Sequence, residues 1–142
     1  MRYHPDTVEG HIEIEQMELF RERVKVFLDA SRFLGGSETK VLMNLMVLSA
    51  GTADPYRNEP ESVTLSLNEL MTITDLVEGS VRRALHGLER AGLIGYTHHS
   101  NRIARTYTVD HEAIAKLAAP IIEARNLSRK RVRMTPFPRP NT

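Results

Sequence analysis

The strongest constraint on the fold is a change of hydrophobic period inside one continuous stretch, VEGSVRRALHGLERAGLIGYTHHSNRIARTYTV, from Val77 to Val109. Val81, Ala84, Leu85 and Leu88 follow the i, i+3, i+4, i+7 spacing that gathers apolar side chains on one face of a helix. Ser80, Arg82, Arg83, His86 and Arg90 then fall on its polar side. Gly92 follows directly, where a helix commonly ends on a left-handed residue. From Leu93 the period drops to two: Ile94 and Tyr96 share one face, and Thr106 and Thr108 alternate with Tyr107 and Val109. Ser100, Asn101 and Arg102 between the two runs are turn formers. The stretch therefore reads as a helix followed by a hairpin with a basic tip.

Upstream, VTLSLNELMTITDLVEG supplies a second, shorter helix. Ser66 and Glu69 have the S-x-x-E spacing of a capping box, each side chain satisfying a backbone donor at the helix start. Leu67, Leu70 and Met71 give it one apolar side, and Thr74 with Asp75 ends it. The next helix begins near Val77 or Glu78. Two helices joined by so short a turn make a helix-turn-helix, and the hairpin after them makes it winged.

With these residues in place, the chain resembles the winged helix-turn-helix superfamily, particularly MarR-like and related small prokaryotic, plasmid and viral regulators. The most specific part is V-R-R-A-L-x-x-L-E-x-x-G-L-I, from Val81 to Ile94, and the resemblance runs from about Glu38 to Val109. Asp75 departs from the pattern, standing at the turn where glycine is common, and Val77 stands where a Ser or Thr cap is expected. An Asp tolerates the left-handed conformation and bonds locally, so the turn is feasible. The fold class expected is mainly α with a small antiparallel sheet: a winged helix-turn-helix domain with flanking N- and C-terminal helices.

The chain has 142 residues, 41% of them hydrophobic, which suits one domain. No apolar run approaches a membrane span, and MRYHPDTVEG has no apolar core of a signal peptide, so a cytoplasmic location and no membrane partner are expected. The absence of cysteine excludes disulfides, thiolate metal sites and thiol nucleophiles. The formal net charge of +1 hides an asymmetry: residues 1–64 carry 7 Lys+Arg against 11 Asp+Glu, and residues 65–142 carry 12 against 7. The positive excess begins with the helix-turn-helix, as a phosphate-binding face requires.

Ahead of the motif, Ile14 to Leu34 reads as a long helix, with Met17, Phe20, Val24, Phe27, Ser31 and Leu34 at helical spacing and Gly35 and Gly36 ending it. Ser37 is then read as the cap of a helix from Glu38 to about Ser49, with Val41, Leu42, Leu45 and Leu48 facing inward. The loop GTADPYRNEPES is longer than a simple connection needs. After the hairpin, Asp110 caps a helix from His111 to Ala124, with Ile114, Leu117, Ala118 and Ile121 on one side and Pro120 set to kink or restart it. The resemblance implies that the two outer helices build a homodimer interface through Met17, Phe20, Val24, Phe27, Ile114, Leu117 and Ile121; the other reading is that both fold back on their own domain. The division expected is a dimerisation helix (1–36), the winged domain (37–109), a C-terminal helix (110–126) and a basic flexible tail (127–142).

His98 and His99 are neighbours on a strand and point to opposite faces, without acidic or cysteine partners at ligand spacing, so no metal and no cofactor are expected. No phosphate loop, H-E-x-x-H or nucleophile elbow is present, and nothing argues for an enzyme. The expected function is sequence-specific binding of double-stranded DNA by a homodimer acting as a transcriptional repressor. Glu78, Gly79, Ser80, Arg82, Arg83 and His86 would enter the major groove. His98, Asn101, Arg102 and Arg105 on the wing would hold the adjacent backbone or enter the minor groove, and the tail with Arg129, Lys130 and Arg131 reads as an arm that gains order on nucleic acid or merely as a solubilising end. Two alternatives stay open: a plasmid or phage replication or partition protein using the same module, and a winged protein-interaction scaffold without DNA binding. An unidentified small-molecule effector is also left open as a partner.

Overall fold

The computed structural model describes the backbone of residues 8–53, 56–58, 60–98 and 104–134, with side chains from residue 14 to 97 and 104 to 131 within those ranges. The chain order is α1 (Val8–Ala30), a 3-10 turn (Ser31–Phe33), α2 (Gly36–Ser49), β1 (Ser62–Ser66), α3 (Leu67–Thr74), α4 (Glu78–Arg90), β2 (Ile94–His98), β3 (Ala104–Val109) and α5 (His111–Met134). The three strands form an antiparallel sheet in the order β1-β3-β2. The expected fold class is the observed one.

Local chemistry accounts for the element boundaries around the motif. The Ser66 hydroxyl accepts from Glu69 N and the Glu69 carboxylate accepts from Ser66 N, both at 3.1 Å, so two orphan donors at the start of α3 are satisfied. Asp75 ends α3 in the left-handed conformation, φ 55°. At the other end of α4, Gly92 (φ +78°) donates to Glu89 O at 2.9 Å and Leu93 donates to Leu88 O at 3.0 Å. This paired closure satisfies the last carbonyls, and it brings buried Leu93 back over buried Leu88. Asp110 caps α5 by accepting from Ala113 N at 2.9 Å.

The core lies between α2, α3, α4 and the inner face of the sheet: Val41, Leu42, Leu45, Leu70, Val81, Leu88 and Tyr107 are all buried. The register puts Leu65 opposite Arg105, and Val63 and Tyr96 opposite Tyr107, so these residues share the inner face. Thr64 and Thr106 face outward and share a hydroxyl hydrogen bond of 2.8 Å. Outside this core, α1 packs along α5, with Phe27 and Ala30 meeting Ile114 and Ala118 in the buried cluster. At the junction of α1, β1 and α5, Arg23 donates to Glu61 at 2.7 Å. Among the described residues, Glu61 Oε2 and His111 Nε2 are buried there without a partner.

Several sequence expectations are corrected. The first helix runs from Val8 to Ala30 rather than Ile14 to Leu34, because the chain tightens into the 3-10 turn at Ser31. Ser37 lies inside α2; Gly35 is the cap position, and its N–H donates to Glu38 at 3.0 Å. Leu48 is 39% exposed and Met46 takes the inward position. Pro120 interrupts nothing: α5 continues to Met134, so residues 127–134 are helix rather than flexible tail. The stripe read as a dimer interface divides. Phe27 and Ile114 are already covered inside the chain, Phe20, Val24, Leu117 and Ile121 are half-buried, and Met17 is 54% exposed.

Candidate nucleic-acid interface

The outward side of α4 is built by its period. With Val81, Ala84, Leu85 and Leu88 buried, Glu78, Gly79, Arg82, Arg83 and His86 are exposed and Ser80 is half-buried. The three-residue turn from α3, made possible by left-handed Asp75, sets α4 against α2 and α3. Behind it, β2 and β3 form the hairpin, and β1 pairs with β3 to complete the sheet. The chain is a winged helix-turn-helix.

The two adjacent arginines diverge. Arg82 bonds Glu78 through Nε (3.2 Å) and Nη2 (3.0 Å) and lines a cleft toward the wing. The guanidinium of Arg83 folds back over Gly79 and lines a second cleft with Gly35, Gly36 and Glu38 at the start of α2. One step of the helix thus sends two like charges to opposite flanks.

The wing-side cleft has a volume of about 250 Å³ and is lined by Leu67, Arg82, Leu85, His86, Tyr96, Arg105 and Tyr107. No carboxylate is among these. The Arg105 guanidinium carbon sits 4.8 Å from the centre of the Tyr96 ring, and Tyr96 and Tyr107 pack with centroids 5.9 Å apart. Arg105 also donates to the Tyr107 hydroxyl. Burial pushes the Tyr107 phenol above its ordinary value, against the opposing pull of Arg105. The Tyr96 phenol is raised chiefly by its hydrogen bond to Glu89 on α4. Arg90 Nη2 lies 3.0 Å from His86 Nε2. Because guanidinium only donates, Nε2 is the acceptor in this contact, and Nδ1 is the ring nitrogen left for another partner.

Of the residues expected to touch DNA, Arg82, His86 and Arg105 are brought to one cleft, with Glu78 holding Arg82 beside it. Arg83 and Ser80 line the other flank. Arg105 is an inner-face residue braced by tyrosines rather than a free charge beside the hairpin tip. Asn101, Arg102 and the side chain of His98 lie outside the described residues. Arg129, Lys130 and Arg131 are exposed on the late turns of α5, a different element from the cleft. Sequence reading missed Tyr96, Tyr107 and Glu89 as parts of this site; the period-two alternation that put Tyr96 on the inner face was the available signal. It also missed Gly87, whose missing side chain makes room for the Glu38 carboxylate.

No family model matches the sequence, and no curated protein matches it significantly. Solved structures of bacterial regulators are similar to it. A MarR family transcriptional regulator from Silicibacter pomeroyi is 19% identical over 95% of this chain and 85% of its own, with a TM-score of 0.43. BpsR of Bordetella bronchiseptica, whose DNA binding is regulated by 6-hydroxynicotinic acid, is 17% identical over 95% and 87%, with a TM-score of 0.41. MepR, a transcription regulator of the Staphylococcus aureus multidrug efflux pump MepA, is 15% identical over 92% and 86%, with a TM-score of 0.43. At these scores the likeness decides nothing further about this chain.

Proposed function

We propose that this protein is a sequence-specific double-stranded DNA-binding transcriptional regulator that works as a homodimer. The observation that carries the reading is the exposed side of α4, where Arg82 and Arg83 diverge to opposite flanks and Arg105 from the wing joins the first. A helix that presents cations on both flanks matches a major groove, whose two walls are phosphate backbones. Ser80, Arg82, Arg83 and His86 are positioned on the first turns of α4 to reach base edges or phosphates, and a bidentate Arg on guanine would supply sequence preference. Glu78 accepts from cytosine N4 or repels other sequences.

Dimerisation is supported by what α1 and α5 leave uncovered. Ile14, Met17, Leu19 and Leu28 on α1 and Leu127 on α5 are all 39% exposed or more, on helices that project beyond the winged core. Apolar surface of this kind is stabilised by a second copy. Paired α4 helices about 34 Å apart would meet half-sites one turn of DNA apart. A dimer seated there acts by occupying the site, which makes repression its simplest output.

The test is selection of bound duplexes from a random pool, with mass measured by light scattering. A paired, two-fold-symmetric consensus bound by a particle of twice the chain mass is the expected result. A protein that enriches no sequence is not a regulator of this kind, and the mass of one chain at micromolar concentration overturns the dimer.

A further inference from the structure

We propose that the cleft between α4 and the wing is a seat for one phosphate group, gripped jointly by Arg105, Arg82 and the Nδ1–H of His86, with a DNA backbone phosphate as its occupant. This rests on the DNA-binding reading and goes beyond it by making helix and wing share one phosphate.

Three observations carry it. First, among the described residues Arg105 has no carboxylate partner: its guanidinium lies on the Tyr96 ring and donates to Tyr107, which brace it and leave its charge uncompensated. Second, the cleft of about 250 Å³ holds Arg82 and His86 on its α4 side and Arg105 on its wing side. Among the described residues Arg82 is held there only by an exposed pair to Glu78, its side chain 60% exposed, so an arriving anion can replace that carboxylate at little cost. Third, His86 lines the same cleft, and with its Nε2 engaged by Arg90 it is Nδ1 that remains to donate to an anion.

Tyr96 is the positioning residue. Its hydroxyl is tied to Glu89 on α4 while its ring supports Arg105 on β3, so one side chain sets the spacing between the helix that reads and the strand that grips. A phosphate held from both sides would fix how deeply α4 enters the groove.

The experiment uses a duplex selected by the parent protein and a set of copies in which each backbone phosphate in turn is an uncharged methylphosphonate. Affinity is measured for the parent, Arg105→Ala and Tyr96→Leu. At one phosphate, neutralisation should weaken the parent on the order of tenfold, the usual scale of a lost charge-assisted contact. At that same phosphate the loss should be clearly smaller in Arg105→Ala and Tyr96→Leu, where Arg82 and His86 grip it without a braced Arg105, although elsewhere all three proteins lose alike. A merely structural role for Tyr96 would instead lower affinity equally at every position. Should Arg105→Ala fail to fold, Arg105→Gln is read at the same phosphate. If the parent binds the duplex and at no phosphate is the loss reduced in the Arg105 variant, the seat is overturned while DNA binding stands. If the parent selects no duplex, DNA binding is what fails, and the seat is judged with inorganic phosphate. Saturable nitrogen shifts at Arg105 Nε and His86, absent in the variant, support a seat for free phosphate, and unchanged shifts overturn it.

Discussion

Arg125 donates twice to Asp29, Nη2 to Oδ1 at 2.6 Å and Nη1 to Oδ2 at 3.1 Å, and so fastens α5 to α1 across 96 residues of sequence. The two-pronged geometry matches the guanidinium fork to the carboxylate and fixes the rotation of one helix against the other. It sits beside buried Phe27 and Ala30, so the pair locks a contact that apolar packing alone would leave free to slide.

The Asp29 carboxyl is held below the ordinary carboxylate range, first by the Arg125 hydrogen bond, against the opposing effect of burial. The folded state therefore binds fewer protons than the unfolded state in acid. The stability from this pair is present above the unfolded value of 3.8 and is lost as pH falls through the lower folded value. Asp29→Asn should lower Tm at neutral pH and give a shallower fall of Tm below pH 3.8 than the parent. Parallel curves for the two proteins would show that the pair does not couple to folding.

His111 gives a second pH dependence in a higher window. Burial, followed by the nearby charge of Arg23, pushes its imidazole below the ordinary 6.5, with Glu61 and Asp110 pulling the other way. The folded state prefers the neutral ring, so stability falls as pH drops below 6.5 and the unfolded chain takes up the proton. His111→Leu should flatten Tm between about pH 7 and about pH 5. An unchanged slope would remove His111 as its cause.

Gly87 and Glu38 form a coupled pair. A Cβ at position 87 would collide with the Glu38 carboxylate, which caps α2 by accepting from Gly35 N. Gly→Ala in a helix interior gains about 1 kcal/mol in propensity, and loss of a cap costs about 1 kcal/mol. Gly87→Ala should therefore change stability little in the parent, yet stabilise a Glu38→Ala background by about 1 kcal/mol. Equal effects in both backgrounds, read by chemical denaturation, would show that the two do not interact.

What could be read in the sequence was whatever closes within a few residues. The Ser66 and Glu69 box, Gly92 and the Asp110 cap each find a partner within four residues, and the turn at Asp75 is a matter of that residue's own left-handed backbone, so composition and spacing suffice. The pair Asp29–Arg125 and the stack of Arg105 on Tyr96 depend on how distant segments meet, and no local period encodes that. Residues 127–134 were misread for a different reason. A dense run of like charge suggests a solvated tail, but Arg, Lys and Leu are good helix formers, and the first following proline stands at 136, beyond the end of α5.

Glu78 is the acidic residue in the first turn of the reading helix, and its removal separates affinity from specificity. Its pair with Arg82 is exposed on both sides, so Glu78→Gln should cost the fold only about 0.5 kcal/mol. On DNA the carboxylate repels every backbone and is offset only where a base donor, such as cytosine N4, meets it. Neutralising it should raise affinity for random duplex more than for the selected one, so the ratio between them falls. Each phosphate contact accounts for about one unit of slope in the plot of log affinity against log salt, and Glu78→Gln, which leaves Arg82 on the phosphate it already meets, should keep the parent's slope. Arg82→Ala should flatten that plot by a similar amount, and should do so jointly with Arg105→Ala, because both face one cleft. Arg83→Ala, on the opposite flank, should add to Arg105→Ala independently. Fluorescence anisotropy on both duplexes over a salt series reads all of these, and an unchanged ratio for Glu78→Gln would place the first turn of α4 outside the groove.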